Sequence, residues 1–330
     1  MANLNAELQK YHDSILLADW KEESLRRARD AIREKIRKYF RDTLKVAIPV
    51  FRQQGSFAAG TTVTPLDGEF DVDDGVYLQH LSQSDDRDWP TPETVHRWLV
   101  EATDGHTEEK PVDKRTCVRL RYAGEYHVDL PAYATLNGEC RLAEKGDAGW
   151  HPSDPIAFND WFAGLVKQHG DQLKRLVRYL KAWADYQAGK RGSMPGGILL
   201  TVLASQNFRP NSRDDVALAE TAKAISTIVA GVFRVYNPVD GREELTARLS
   251  DEQKTRFKEA IADLASHAAE AVALADRKKA SELWRTELGD RFPLVSDEDK
   301  DDESRQAEED AKRLATFYVP KKPVKPWADV

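Results

Sequence analysis

Apolar side chains recur at spacings of mostly three or four from Leu4 to Phe40 (Leu8, Tyr11, Ile15, Leu16, Trp20, Leu25, Ala28, Ile32 and Ile36 between them), with charges filling the gaps. That is the period of a helix with one buried face. No proline interrupts it before Pro49, so residues 3–45 predict one long helix, or two with a break near Ala18-Asp19, whose role is packing. The period then changes. Val46–Gln53 is short and apolar and runs into Gly55-Ser56, predicting a strand. Phe70–Leu78 alternates and then turns fully apolar, predicting a second strand with carboxylates at its start. Residues 82–91 and Thr103–Pro111 are polar loops around a short helix that begins at Thr91, with Glu93 and Thr94 following as in a capping box. Thr116–Tyr122 and Tyr126–Tyr133, joined by Ala123-Gly124-Glu125, predict a hairpin.

From Pro152 the helical period returns, over Asp160–Gly170, Asp171–Ala188, Ile198–Ala204, Ser212–Val235 and Ser250–Leu288. Phe257, Ile261, Leu264, Val272, Leu274, Leu283 and Trp284 are the core candidates of the last stretch, and Tyr236–Arg242 is a turn. The order of elements predicts an α/β (α+β) fold: a long N-terminal helix, a mixed sheet carrying acids at one edge, then a helical lobe. The expected division is a core over 1–150, a helical lobe over 151–295, and a tail over 296–330 that is acidic and then rich in Lys and Pro.

Composition narrows the class. With 330 residues, 41% hydrophobic and 32% charged, the chain can bury a substantial core. No apolar run nears the roughly 20 residues that span a bilayer, and the N-terminus has no basic segment followed by an apolar block, so neither membrane nor export is expected. Two cysteines, Cys117 and Cys140, exclude a disulfide scaffold and a cysteine-rich zinc module, which leaves the cytoplasm as the expected compartment. The net charge of −7 is misleading as a whole-chain figure. Residues 297–310 hold nine acids and two bases, so the remainder is balanced. Charge demands neither a nucleic-acid polymer nor an acidic membrane as partner.

The candidate chemistry lies between Gln53 and Leu78. Gly55-Ser56 suits phosphate, because glycine lets backbone N–H groups approach an anion and serine adds a hydroxyl donor. Asp71 and Asp73, two apart on a strand, point to one face, and two close carboxylates call for a cation between them. A solvated Asp-rich turn is the alternative. Alternation turns Asp74 away from the other two. Asp129 is a charge inside a run that otherwise reads as buried, and buried charges are paired or metal-bound. Beside the Asp71/Asp73 strand it would complete a three-carboxylate site suited to Mg²⁺, whereas an edge strand would leave it a surface residue. Scattered single ligands give His127 no metal role. Lys167, Lys174, Arg178 and Lys181 align on one helical face, which reads as a solvated stripe except for Lys181. That residue precedes the loop leading into Ile198–Ala204, where a cation could reach triphosphate oxygens held over the acids.

These residues carry a resemblance. Gly55-Ser56 with Phe57-Ala58-Ala59-Gly60-Thr61, Asp71-Val72-Asp73-Asp74-Gly75 and His127-Val128-Asp129 resemble nucleotidyltransferases of the polymerase-beta-like superfamily. QGSFAAGTT, EFDVDDGVYL, LVRYLKAW, MPGGILLTVLA and the Asn-Pro-Val turn narrow it to the bacterial cGAS/DncV-like branch (CD-NTases) of CBASS anti-phage systems, over residues from about 1 to 295. The resemblance implies synthesis of a cyclic di- or trinucleotide second messenger from ATP, GTP or both, with release of pyrophosphate. It implies that Gln54, Gly55 and Ser56 cradle the donor triphosphate and that Asp71, Asp73 and Asp129 hold two Mg²⁺, for which Mn²⁺ could substitute. Asp129 would accept the hydroxyl proton, Lys181 would pair with the triphosphate, and Arg119 or Arg121 would contact phosphate. Related members carry a serine after the proline of the M-P-x-G segment; here Gly196 follows Met194-Pro195, and Ser193 is the substitute. Without a Cys/His zinc insertion, no DNA activator is expected. An operon-encoded regulator or a conjugation enzyme acting at the C-terminus is the partner this resemblance allows. Two other readings stay open: transfer of a nucleotide to RNA, protein or a small molecule, and a nucleotide-binding module without catalysis.

Overall fold

The N-terminal periodic stretch folds as two helices, α1 (Asn5–Ile15) and α2 (Asp19–Lys38), because Leu16 and Ala18 adopt extended backbone between them. A π-helical turn over Tyr39–Leu44 follows and ends at Lys45 in the left-handed region. The computed structural model describes residues 1–66, 68, 70–81, 85–122 and 126–296. The expected hairpin turn at 123–125, part of the 82–91 loop and the acidic and Lys/Pro-rich tail lie outside them.

The break in the first helix has a consequence that periodicity alone does not carry. Leu25, Ile32 and Ile36 of α2 pack under the sheet, whereas Leu4, Leu8, Tyr11 and Ile15 of α1 belong to the core of the later helices. The first 15 residues, grouped by sequence with the 1–150 core, therefore bury their apolar face in the helical layer.

The sheet is built around β2 (Phe70–Tyr77). β1 (Val50–Gln54) pairs with it antiparallel on one side. On the other side β5 (Tyr126–Leu130) and β6 (Ala132–Leu136) pair with it in parallel, one after the other. The predicted single strand Tyr126–Tyr133 is split at Pro131, which has no N–H to give to a ladder; its carbonyl still accepts from Val76 N at 2.9 Å. β3 (Val112–Asp113) and β4 (Val118–Tyr122) extend the sheet beyond β5, and β7 (Glu139–Glu144) and β8 (Gly149–Pro152) extend it beyond β6. The last two strands were not anticipated, since neither residues 139–144 nor 149–152 make a long apolar run.

Three helices lie with the sheet or its loops: a single turn, α3 (Gly55–Ala58), and α4 (Pro92–Thr103), capped by the Thr91 side chain accepting from Thr94 N, with α2. The helical layer comprises α5 (Pro155–His169), α6 (Asp171–Arg191), α7 (Gly197–Gln206), α8 (Asp214–Ala230), α9 (Asp251–Ala273) and α10 (Arg277–Leu288). Its core includes the fully buried Trp183, Phe257, Trp284 and Phe292. The expected Ser250–Leu288 stretch is thus two helices, and Phe257, Ile261, Leu264 and Trp284 are buried as the spacing predicts. No helix of the described residues is long and apolar enough to cross a membrane.

Candidate active site

Alternation along β2 sorts its side chains cleanly. Phe70, Val72, Asp74 and Val76 face α2, and Asp71 and Asp73 face the other way. Asp74 is fully buried, and Arg33 of α2 donates to its two oxygens at 2.7 and 2.5 Å. It is a structural ion pair, in keeping with its expected separation from the other two acids. Register then brings the remaining acids together. In the β2–β5 ladder Asp71 lies opposite His127 and Asp73 opposite Asp129. In the β4–β5 ladder Arg119 lies opposite Asp129.

The three carboxylates share a face but not the same environment. Arg119 donates Nε to Asp129 Oδ1 and Nη2 to Oδ2, both at 2.7 Å, and its Nη2 lies 3.0 Å from Asp71 Oδ1. His127 Nδ1 is 3.1 Å from the same Asp71 oxygen. Asp73 is pushed up to about 7, first by burial and then by the negative charges of Asp129 and Asp71. Among the described residues no three carboxylate, imidazole or thiol groups converge as a ready metal cage. Both oxygens of Asp129 are engaged by Arg119. The donor set nevertheless fits a hard divalent cation, being all oxygen, anionic, and in Asp73 short of positive charge.

Above the carboxylates sits the Gly-Ser turn. Gly55 has φ +67°, and a Cβ there would stand 2.2 Å from Asp73 Oδ2. Only glycine allows β1 to turn into α3 while the carboxylate rests against the backbone. Ser56 Oγ lies 3.2 Å from Thr62 Oγ1, and Thr61 N donates to the Ser56 carbonyl at 2.8 Å, so the loop closes on itself.

The helical layer reaches this loop through α6. Lys181 Nζ donates to the Thr61 carbonyl at 2.9 Å, and Arg178 Nη2 to the Gly60 carbonyl at 2.6 Å. Burial, then the Arg178 charge, lowers Lys181 to about 8, with Asp73 opposing the shift. The close approach of α7 is made by Gly197, where a Cβ would lie 3.0 Å from Lys181 Cε. Lys181 and Ser193 line a cavity of about 310 Å³ together with Val63, Asp185, Met194 and Pro195.

Several expected site residues stand differently. Gln54 is buried opposite Asp73 in the β1–β2 ladder, and its amide is taken by two hydroxyls: its Nε2 donates to Tyr133 at 3.2 Å and its Oε1 accepts from Tyr77 at 3.5 Å. Those two rings stack on each other, 4.9 Å apart, and the amide held by their hydroxyls supports the turn. Arg119 faces carboxylates, and Arg121 pairs with Glu109 at 3.7 Å. Ser193 reaches the cavity beside Lys181, but its hydroxyl accepts from Gln253 of α9 at 3.0 Å. The stripe residue Arg178 is no solvated cation, since it ties α6 to the loop and meets His12 Nε2 at 2.8 Å. Its role had no sequence signal, because its partner is a backbone carbonyl.

With this geometry in hand, comparison with known proteins is specific. Residues 49–133 match the family model described as the nucleotidyltransferase domain of cyclic GMP-AMP synthase DncV-like proteins. A cyclic GMP-AMP synthase of Escherichia albertii is 30% identical over 213 residues, covering 61% of this chain and 47% of the relative. A cyclic AMP-AMP-AMP synthase of an Acinetobacter strain is 29% identical over 151 residues, 44% of each chain. The aligned part of this chain thus spans about half the length of these curated relatives. The crystal structure of Vibrio cholerae DncV cyclic AMP-GMP synthase superposes with a TM-score of 0.75 at 19% identity, over 89% of this chain and 100% of that one. It has the same nucleotidyltransferase fold, of a class generally dependent on divalent metal.

Proposed function

We propose that this chain is a DncV-like nucleotidyltransferase that joins nucleoside triphosphates, ATP and GTP foremost, into a cyclic di- or trinucleotide and releases pyrophosphate. The observation that carries the reading is the alignment of Asp71, Asp73 and Asp129 on one face of the sheet, with Gly55 against Asp73 and Lys181 of the helical layer bonded to the loop that follows.

Asp71, Asp73 and Asp129 are the residues that would hold two Mg²⁺ ions. When bound, such ions acidify the attacking ribose hydroxyl and neutralise the leaving pyrophosphate. The backbone at Gly55 and Ser56, with the Ser56 hydroxyl, binds and orients the donor triphosphate. Lys181, already at the rim of the turn, donates to its oxygens as a compact charge. The proton of the attacking hydroxyl passes to a carboxylate oxygen of Asp129. Ser193 lies near enough to Lys181 to join it on phosphate if Gln253 releases its hydroxyl. The expected setting is cytoplasmic anti-phage defence, with an operon-encoded regulator or a conjugation enzyme acting on the C-terminal tail, and without DNA as activator.

The test is mass spectrometry of the product from purified protein, Mg²⁺ and mixed nucleoside triphosphates, with the operon partners supplied. A cyclic, phosphatase-resistant product is expected, lost in Asp71→Asn and Asp73→Asn proteins that keep the native circular dichroism. Label transferred to RNA, protein or a small molecule, or nucleotide binding without pyrophosphate release, would overturn the reading.

A further inference from the structure

Asp129 is wanted by two cations. Both of its oxygens accept from the Arg119 fork at 2.7 Å, and the same guanidinium reaches Asp71 at 3.0 Å. The arrangement is built into the sheet: register sets Arg119 opposite Asp129, and alternation puts both on the face that carries Asp71. A two-pronged Arg–carboxylate pair is among the stronger polar contacts proteins make, and this one is shielded, with the two side chains 14% and 12% exposed. While both oxygens serve the guanidinium, each keeps one lone pair, but a divalent ion that takes it must stand beside the guanidinium charge, a like-charge contact that disfavours entry.

We propose that Arg119 is a displaceable counter-ion and a positioning residue, which neutralises Asp71 and Asp129 in the nucleotide-free protein and transfers its fork to a phosphate oxygen when a metal–nucleoside triphosphate enters. The inference rests on the function proposed above and concerns how that site loads. The exchange makes and breaks no covalent bond: hydrogen bonds from the guanidinium to carboxylate are replaced by hydrogen bonds to phosphate, and the carboxylates take up the cation. A bare divalent ion must break the fork with nothing to receive it. A metal–triphosphate complex brings both the replacement cation and the replacement anion. The site therefore favours the complex over the free ion, and Asp129 is released as proton acceptor only when substrate is present.

The test is Mn²⁺ binding followed by electron paramagnetic resonance, with and without a non-hydrolysable ATP analogue, in the wild type, Arg119→Gln and Arg119→Lys. Losing a charge-assisted pair should tighten binding of bare Mn²⁺ to Arg119→Gln on the order of ten-fold and weaken binding of Mn²⁺ with the analogue. Arg119→Lys, which keeps a charge but not the fork, should fall between. Opposite shifts distinguish this role from a structural one, which would weaken both. In EDTA, Arg119→Gln should melt below the wild type and recover more than the wild type on adding Mn²⁺. Equal or weaker binding of bare Mn²⁺ by folded Arg119→Gln would sink the proposal; if that variant does not fold, the same result from Arg119→Lys does so. Absence of Mn²⁺ binding to every protein, with and without analogue, would instead overturn the metal-site reading beneath it.

Discussion

Two positions, Gly55 and Lys181, bear most directly on the proposed site. At Gly55 a β-carbon would both occupy a left-handed backbone conformation and press on Asp73. The first costs about 1–2 kcal/mol, and the second displaces a carboxylate that must be held to a fraction of an ångström. Gly55→Ala should cut pyrophosphate release by about 100-fold or more while circular dichroism stays native, measurable in a coupled phosphate assay. Lys181 gives a pH signature. Burial lowers it to about 8, and only its protonated form pairs with phosphate. Nucleotide affinity should therefore fall as pH rises through about 8, and Lys181→Arg, which keeps its charge, should show no such break. The sign for stability is opposite. Because the folded value lies below the unfolded one, the unfolded chain binds more protons between about 8 and 10.5, so the nucleotide-free protein should gain stability across that window as this group deprotonates. A titration of nucleotide binding by fluorescence and a melting series check the two signs separately.

At the scale of elements, β2 does double duty, and its two faces depend on different partners. The outer face carries the acids; the inner face is anchored to α2 by Arg33 and Asp74, the latter without exposure. Removing one partner of a buried pair strands a charge, so Arg33→Ala should cost about 3–5 kcal/mol in urea unfolding. Replacing both partners, as in Arg33→Met with Asp74→Leu, should recover much of that loss. β2 itself was legible from Phe70–Leu78, as were β1 and α4, because alternation and a capping threonine are local signals. β7 and β8 were not, since each is held by its neighbour in the ladder more than by its own composition.

For the whole molecule, the chain's two cores meet at the site. α1 crosses to the helical layer, where the Leu4 amide donates to Asp215 of α8 at 3.0 Å and Arg277 of α10 pairs with Glu7 at 2.8 Å. α6 reaches back from that layer to the loop after the Gly-Ser turn. The helical layer closes at Val295, buried and bonded through its N–H to Ser281 Oγ at 3.1 Å. Ser281→Ala, which strips the buried Val295 N–H of its acceptor, should cost about 1–3 kcal/mol, read by urea unfolding, and leave pyrophosphate release within about two-fold of the wild type.

By itself the sequence determined the helical and strand periods, the glycine that the turn requires, the opposite faces of Asp73 and Asp74, and the set of acids and cations available for chemistry. These follow from spacing along one element, where backbone geometry alone decides which way a side chain points. What only the tertiary structure decided was which side chains across elements share a partner. The 123–125 turn length left the β4–β5 register open, so Arg119 and Arg121 were equivalent until Asp129 was found opposite the first. Gln54 was taken up by the hydroxyls of Tyr77 and Tyr133, and Arg178 became a tie because the loop carbonyl lies where its side chain ends. Such pairings join residues far apart in the chain, and their distances are set by how the layers pack.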